Sequence, residues 1–225
     1  MLYALLKPIA VALIKLYHRL EVFGREHVDR RTHHIVVGNH VSNLDPIYIA
    51  AFYPRKLHFM AKRELFQYPI LRRLLRSLGA FPVDRAGRDL SAVRAALRLL
   101  QDGRSIGLFP EGTRTRSFAE RAFKEGAAYF SIKSGVPVLP VVIFGTAQAM
   151  PKGRRMILPA KVRIAYGPPL MPEEGDTPEA FAERIKAALK TLLDDGTARG
   201  WKSYPEDPAD QGAAGGRRAR DVERI

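Results

Sequence analysis

From residue 35 to residue 166, short runs of Val, Ile, Leu and Phe alternate with stretches in which apolar residues recur every three or four positions. The first pattern suits strands buried on both faces, and the second suits helices with one face on a core. The alternation therefore restricts the chain to an α/β domain built on a mixed, largely parallel sheet flanked by helices. The runs at 35–37, 57–61, 80–83, 105–109, 138–144 and 161–166 read as strands. Helices are expected at 46–52, 71–78, 90–100, 119–133 and 178–193. In the second of these Leu71, Leu74, Leu75 and Leu78 share a face, with Arg72, Arg73 and Arg76 outside it. Gly103 ends the third.

With 225 residues the chain has material for one good core, and two full domains would be cramped. We expect a helical segment over 1–30, a domain over 31–200 and a disordered tail over 201–225, where the pattern gives way to Pro, Gly, Asp and Arg. In the first segment Leu2, Leu5, Leu6, Ile9, Leu13, Leu16 and Leu20 fall on one helical face, and Lys7, Lys15, His18 and Arg19 lie away from it. Such a helix either packs on the domain or lies in the plane of a membrane with its cations among phosphates. Pro8 is expected near a first turn or a kink. The longest uncharged stretch, 135–151, is interrupted by Pro137, Pro140, Gly145 and Pro151, so no spanning helix is read there. No small-residue cleavage site follows the apolar N-terminus, so no signal peptide is read either.

Cysteine is absent, which excludes a disulfide framework, a thiolate metal site and a cysteine nucleophile. The formal net charge of +14 attracts polyanions, whether nucleic acid, anionic lipid or a phosphorylated substrate, without choosing among them.

Four clusters carry the candidate chemistry. Residues 38–46, Gly-Asn-His-Val-Ser-Asn-Leu-Asp-Pro, join a strand to a helix and so project from the edge of the sheet, where ligands gather in α/β folds. His40 is the residue type that takes and returns a proton near neutral pH, and Asp45 is placed to hold its tautomer. Asp45 before Pro46 is equally a good helix N-cap, and Ser42 and Asn43 suit a turn. Residues 109–117 also follow an apolar strand. There Gly112 permits close backbone approach, the Thr113 hydroxyl and the following amides can donate to phosphate oxygens, and Arg114 can grip them through two nitrogens. The bland alternative is a solvated basic turn. The third cluster, 79–85, ends a strand in the charged pair Asp84 and Arg85, which alone would be a surface salt bridge. The fourth, 136–141, alone would be the start of a buried strand.

In this order and spacing the four clusters resemble the glycerolipid acyltransferases of the PlsC type, a family that includes the 1-acyl-glycerol-3-phosphate acyltransferases. The first block is Asn-His, four residues, then Asp, here Asn39, His40 and Asp45. The second is a glycine-led strand ending in an acid and Arg, here Gly79, Asp84 and Arg85. The third is Phe-Pro-Glu-Gly-Thr-Arg-Ser-like, here 109–114 with Thr115 where Ser is usual. The fourth is Val-Pro, two apolar residues, then Pro-Val, here 136–141. The segment 61–65, Ala-Lys-Arg-Glu-Leu, is a further likeness.

The resemblance implies that His40, oriented by Asp45, is the general base of an acyl transfer. Arg114, Arg85 and Lys62 would anchor an acceptor phosphate within the loop of Gly112 and Thr113. Glu111 would orient the acceptor hydroxyl or brace the arginines, and amides near Gly112 or Gly38 would hold the oxyanion. The implied reaction moves a fatty acyl group from acyl-CoA or acyl carrier protein to the hydroxyl of 1-acyl-glycerol-3-phosphate, giving phosphatidic acid. Transfer is direct, because Ser42 reads as part of the turn, and no metal or redox cofactor is needed. Glycerol 3-phosphate or another lyso-lipid as acceptor shares the same blocks. A non-enzymatic binder of anionic membranes or nucleic acid satisfies the charge but needs no histidine–carboxylate pair. The expected partners are a lysophospholipid, the acyl donor and an anionic membrane surface, with nucleic acid not expected. The expected place is the cytoplasmic face of a bacterial-type inner membrane. Phe66, Tyr68, Ile70 or the 71–78 helix would line an acyl groove.

Overall fold

In the computed structural model, which describes residues 2–84, 89–115, 117–118, 122–151 and 156–204 (for 2–6 the backbone alone), the apolar runs gather into one seven-stranded sheet. The elements in chain order are α1 (Leu2–His18), β1 (Glu21–Phe23), β2 (Ile35–Gly38), α2 (Asp45–Phe52), β3 (Leu57–Lys62), α3 (Pro69–Ser77), β4 (Phe81–Val83), α4 (Leu90–Gln101), β5 (Ser105–Leu108), α5 (Gly126–Ser134), β6 (Val138–Phe144), α6 (Thr146–Ala149), β7 (Arg163–Tyr166) and α7 (Pro178–Ala198). The strand order is β1-β7-β6-β2-β5-β3-β4. Only β6 and β7 pair antiparallel; the other neighbours run parallel, so the sheet is mixed and mostly parallel as expected.

A parallel sheet needs cover on both faces, and the strand composition anticipates this. All residues of β2 and β6 are buried. On one face Ala96 and Leu100 of α4, Phe130 of α5, and Phe181, Ile185 and Leu189 of α7 pack on Ile35, Val37, Val142 and Phe144. On the other, Ile14 of α1 and Tyr48 and Ile49 of α2 pack on Val36, Leu139, Val141 and Ile143. Each such large apolar side chain contributes roughly 1.5–3 kcal/mol by leaving water. Because β2, β3, β5 and β6 run in one direction, their carboxyl ends open on one edge of the sheet.

Several boundaries differ from the expectations, for physical reasons. β1 was not expected; it is a three-residue edge strand on β7, half-buried throughout and too short for alternation to mark it. The one-turn helix α6 follows the left-handed Gly145 and was equally invisible. The helix expected over 119–133 begins only at Gly126, and the last helix runs on to Ala198. Within the tail expected over 201–225, residues 201–204 are packed on the domain. Trp201 packs between Phe23 and Phe144, with ring centroids 4.6 and 5.3 Å away, and Ser203 is buried. Residues 205–225 lie outside the described residues.

The first helix takes an orientation that periodicity alone did not choose. Ile14 and His18 are buried toward α2, where the rings of His18 and Tyr48 stand 5.5 Å apart. Lys7, expected on the outer polar side, donates from Nζ to the carbonyl of Tyr53 at the end of α2. The face of Ile9, Leu13 and Leu16 therefore points away from the domain: Leu13 is 62% exposed and Leu16 83%. Pro8 lies inside the helix. Among the described residues, no helix is long and apolar enough to cross a membrane.

Candidate active site

The first cluster leaves the carboxyl end of β2. Pairing with β6 ends at Gly38 opposite Val141, and the Asn39 side chain continues the ladder. Its Oδ1 accepts the Ile143 N–H at 2.9 Å, and its Nδ2 donates to the Ile143 carbonyl at 3.1 Å and to Ser203 Oγ at 2.8 Å. The loop is thus pinned immediately before His40.

His40 and Asp45 meet as expected: Nδ1 of the ring lies 3.0 Å from Asp45 Oδ2. The same oxygen accepts the N–H groups of Val41 and Ser42, both at 2.7 Å, and Oδ1 accepts the Thr146 hydroxyl at 2.6 Å. This geometry bears on the two readings of Asp45. Leu44 holds the N-cap position of α2 and no side chain caps the helix. The fully buried Asp45 carboxylate instead turns back on the loop. A carboxylate on Nδ1 places the ring proton there and leaves Nε2 as the acceptor. The imidazole stacks on Phe109, with centroids 4.3 Å apart and planes 18° apart, and Phe59 stacks behind Phe109. It remains 13% exposed, so the ring is fixed yet accessible.

The third block leaves the neighbouring strand β5. The N–H of Gly112 donates to the Phe109 carbonyl at 2.9 Å, closing a turn in which Gly112 adopts φ 70°, a left-handed conformation that glycine takes without strain. Glu111 ties this loop to the first. Its Oε2 accepts the His40 N–H at 3.1 Å and the Thr115 hydroxyl at 2.8 Å, and the Thr115 N–H donates to the His40 carbonyl at 2.9 Å. Glu111 therefore braces the histidine loop, a role the sequence did not assign to it. Burial pushes its carboxyl up to about 7, against the hydrogen bonds from Thr115, His40 and Tyr204 that favour the ionised form. Thr113 and Arg114 complete the loop, both half-buried.

Lys62 ends β3 on the same edge, exposed, and pairs in register with Val83 of β4. Asp84 follows, and its N–H donates to the Asp89 carboxylate at 2.8 Å. Arg85 lies outside the described residues. The edge thus carries, in sheet order, Thr146 beyond β6, His40 beyond β2, the 109–115 loop beyond β5 and Lys62 at the end of β3. His40, Asp45 and Glu111 are in direct contact; Gly112, Thr113 and Arg114 share the loop bonded to His40.

Phe66 is buried in packing, and Tyr68 and Ile70 stand on open surface at 64% and 87% exposure. A groove of about 960 Å³ runs between the end of α1 and residues 157–161, lined by Leu13, Leu16, Tyr17, Tyr48, Ile157 and Pro159 among others. The sequence also passed over Thr146, Ser203 and Tyr204. Thr146 follows Gly145 at the carboxyl end of a strand, the same setting that pointed to His40. Trp201 and Tyr204, two aromatics within four residues, were a poor match to a disordered composition.

Comparison with known proteins supplies relatives for this arrangement. The profile of the family described as Acyltransferase matches residues 19–144. A 1-acyl-sn-glycerol-3-phosphate acyltransferase of Borreliella burgdorferi is 32% identical over 130 residues, 57% of this chain and 52% of that protein. One of Bacillus subtilis is 28% identical over 159 residues, 70% of this chain and 77% of that protein. The matched region spans only 52% to 61% of the length of the relatives from Borreliella burgdorferi and the two Limnanthes species. The crystal structure of the 1-acyl-sn-glycerophosphate acyltransferase PlsC from Thermotoga maritima superposes with a TM-score of 0.70 at 29% identity, covering 85% of this chain and 81% of that one.

Proposed function

Because this chain belongs to the acyltransferase family, we propose that it transfers a fatty acyl group from acyl-CoA or acyl carrier protein to the free hydroxyl of 1-acyl-glycerol-3-phosphate, giving phosphatidic acid. One observation carries the reading: His40 has Nδ1 on a buried carboxylate at 3.0 Å and a partly exposed ring, beside a loop bearing Arg114. Nε2 takes the proton of the acceptor hydroxyl as its oxygen attacks the thioester carbonyl. The C–O bond forms and the carbonyl electrons move onto the oxyanion, which backbone amides at the loop receive. Collapse of the tetrahedral intermediate breaks the C–S bond, and the imidazolium returns its proton to the leaving thiolate. Asp45 holds the tautomer and faces the charge that develops on the ring in the transition state. Arg114, Lys62 and Arg85 hold the acceptor phosphate, arginine through its two-pronged fork.

The acceptor and product of this reaction are membrane amphiphiles. The outward apolar face of α1 supports a membrane setting, with Ile9, Leu13 and Leu16 entering the headgroup layer and Lys15 and Arg19 lying among phosphates. We place the protein on the cytoplasmic face of a bacterial-type inner membrane, held in the plane of the bilayer. Removing residues 1–20 releases it from anionic vesicles, or leaves it aggregation-prone, and depresses activity on vesicle-borne acceptor more than on short-chain acceptor. Unchanged membrane binding and activity would move the anchor elsewhere.

The deciding experiment offers purified protein 1-acyl-glycerol-3-phosphate, glycerol 3-phosphate, lysophosphatidylglycerol and a lyso-aminolipid with both donors. The reading expects 1-acyl-glycerol-3-phosphate to be preferred. Preference for another acceptor overturns the substrate assignment, and no transfer to any acceptor overturns the activity.

A further inference from the structure

After α7 the chain does not leave the domain. The N–H of Trp201 donates to the Gly196 carbonyl at 2.9 Å, and the indole is held by Phe23 and Phe144 with the guanidinium groups of Arg163 and Arg199 over its ring. From that anchor the next three residues cross the carboxyl edge of the sheet, and each touches a different support of the histidine–aspartate pair. The Lys202 carbonyl accepts the Gly145 N–H at 2.8 Å, at the turn that presents Thr146 to Asp45. Ser203 Oγ accepts from Asn39 Nδ2 at 2.8 Å and donates to the Ile143 carbonyl at 3.2 Å. Tyr204 donates its hydroxyl to Glu111 Oε1 at 3.4 Å, while its carbonyl accepts from Gln148 Nε2 at 3.3 Å.

We infer that residues 201–204 are a strap that completes the active site, and that Ser203 and Tyr204 are positioning residues for acyl transfer, holding the His40 backbone through Asn39 on one side and Glu111 on the other. The inference rests on the transfer reading above.

The physical case is one of constraint. The last torsion of a glutamate side chain is broad, so one bonded oxygen does not fix the carboxylate plane. Glu111 Oε2 already serves the His40 N–H and the Thr115 hydroxyl; Tyr204 adds a restraint on the other oxygen, Oε1. Asn39 is fully buried, so its second amide hydrogen needs the Ser203 oxygen. Among the described residues, neither Ser203 nor Tyr204 hydrogen-bonds to His40, so both act on the rate through geometry. Small displacements of a base from its near-attack position lower turnover while leaving substrate binding in place.

The test uses the full chain with Tyr204→Phe and Ser203→Ala, and reads the Glu111 carboxyl by carbon NMR across pH together with kcat and KM. In Tyr204→Phe the Glu111 midpoint rises by about half a pH unit or more, because a donor to the ionised form is lost. In the same variant kcat at neutral pH falls roughly tenfold, and both KM values hold within about twofold. Ser203→Ala lowers kcat similarly and leaves the Glu111 midpoint in place. A Glu111 midpoint and a kcat both unmoved by Tyr204→Phe overturn the strap. A moved midpoint in a protein that transfers to no acceptor supports the Tyr204 contact and overturns the transfer reading alone.

Discussion

The two ends of β2 each hold a histidine in a hydrogen-bonded cluster, and the clusters differ in ways that matter for chemistry. At the amino end His34 is 1% exposed, its Nδ1 lies 2.9 Å from the Tyr53 hydroxyl, and that hydroxyl lies 2.9 Å from Ser105 Oγ, which also accepts the His34 N–H. Every hydrogen-bonding partner of this ring is neutral, and burial pushes its pKa down to about 4. At the carboxyl end His40 has a carboxylate on Nδ1 and a partly open ring. A buried histidine with neutral partners is a locked piece of core. A histidine with an anionic partner on one nitrogen and access at the other can carry a proton through a reaction cycle.

Substitution breaks the comparison most sharply. His40→Ala lowers kcat by about 10²–10⁴-fold, the contribution of a positioned base, while its thermal midpoint stays near that of the wild type. His34→Ala does the reverse: it leaves turnover near normal and destabilises by about 1–3 kcal/mol, because the Tyr53 hydroxyl loses its buried imidazole partner. Parallel melting curves and steady-state rates check both, and a His34 variant as inactive as the His40 variant would erase the distinction.

Asp45→Asn ranks next. The amide keeps the shape but disturbs the set of donors that point at the carboxylate, so kcat falls severely, though by less than for His40→Ala. If Asp45 served only α2, the loss would appear in thermal stability with near-normal turnover. Arg114→Ala is smaller again in kcat and acts mainly on acceptor KM, with donor KM little changed, and Arg114→Lys recovers little because lysine lacks the fork. Equal effects on both substrates would move the loop away from the phosphate.

How much of this was legible follows from what each feature depends on. Val138–Phe144 was readable to the residue because an apolar run bounded by Pro137 and Gly145, with Pro140 alone inside it, has few alternatives. His40 and Asp45 were readable because they are five positions apart on one loop. Thr146 lies a hundred and one positions from Asp45 and Tyr204 ninety-three from Glu111, so their contacts exist only once the sheet order is known. The orientation of α1 was open for another reason. An apolar face at helical spacing is the same for a helix turned inward or outward, and the choice fell to Ile14, His18 and Lys7 meeting α2. Polar composition hid the packed residues 201–204, because Trp201 and Ser203 act by where they land.

The last predicted effect sharpens the comparison through pH. Glu111 keeps its proton to about 7 in the folded chain, against an ordinary value of 4.5, so between those values the native state binds more protons than the unfolded one. Stability from this group is therefore full below about pH 4.5 and lost as pH rises toward 7. His34 has the opposite sign. Its folded value near 4 lies below the ordinary 6.5, so the native state binds fewer protons, and stability is full above 6.5 and lost as pH falls toward 4. Each contribution is on the order of 3 kcal/mol across its window, and between about pH 4.5 and 6.5 the two slopes oppose each other. Replacing one group therefore exposes the other. Glu111→Gln should make unfolding free energy climb with pH through that window relative to wild type, and His34→Gln should make it decline. Urea unfolding at pH 5, 5.5, 6 and 6.5 reads both slopes. Curves for the two variants that run parallel to wild type would show that neither group is held away from its ordinary titration, and that the two ends of β2 differ less than their partners suggest.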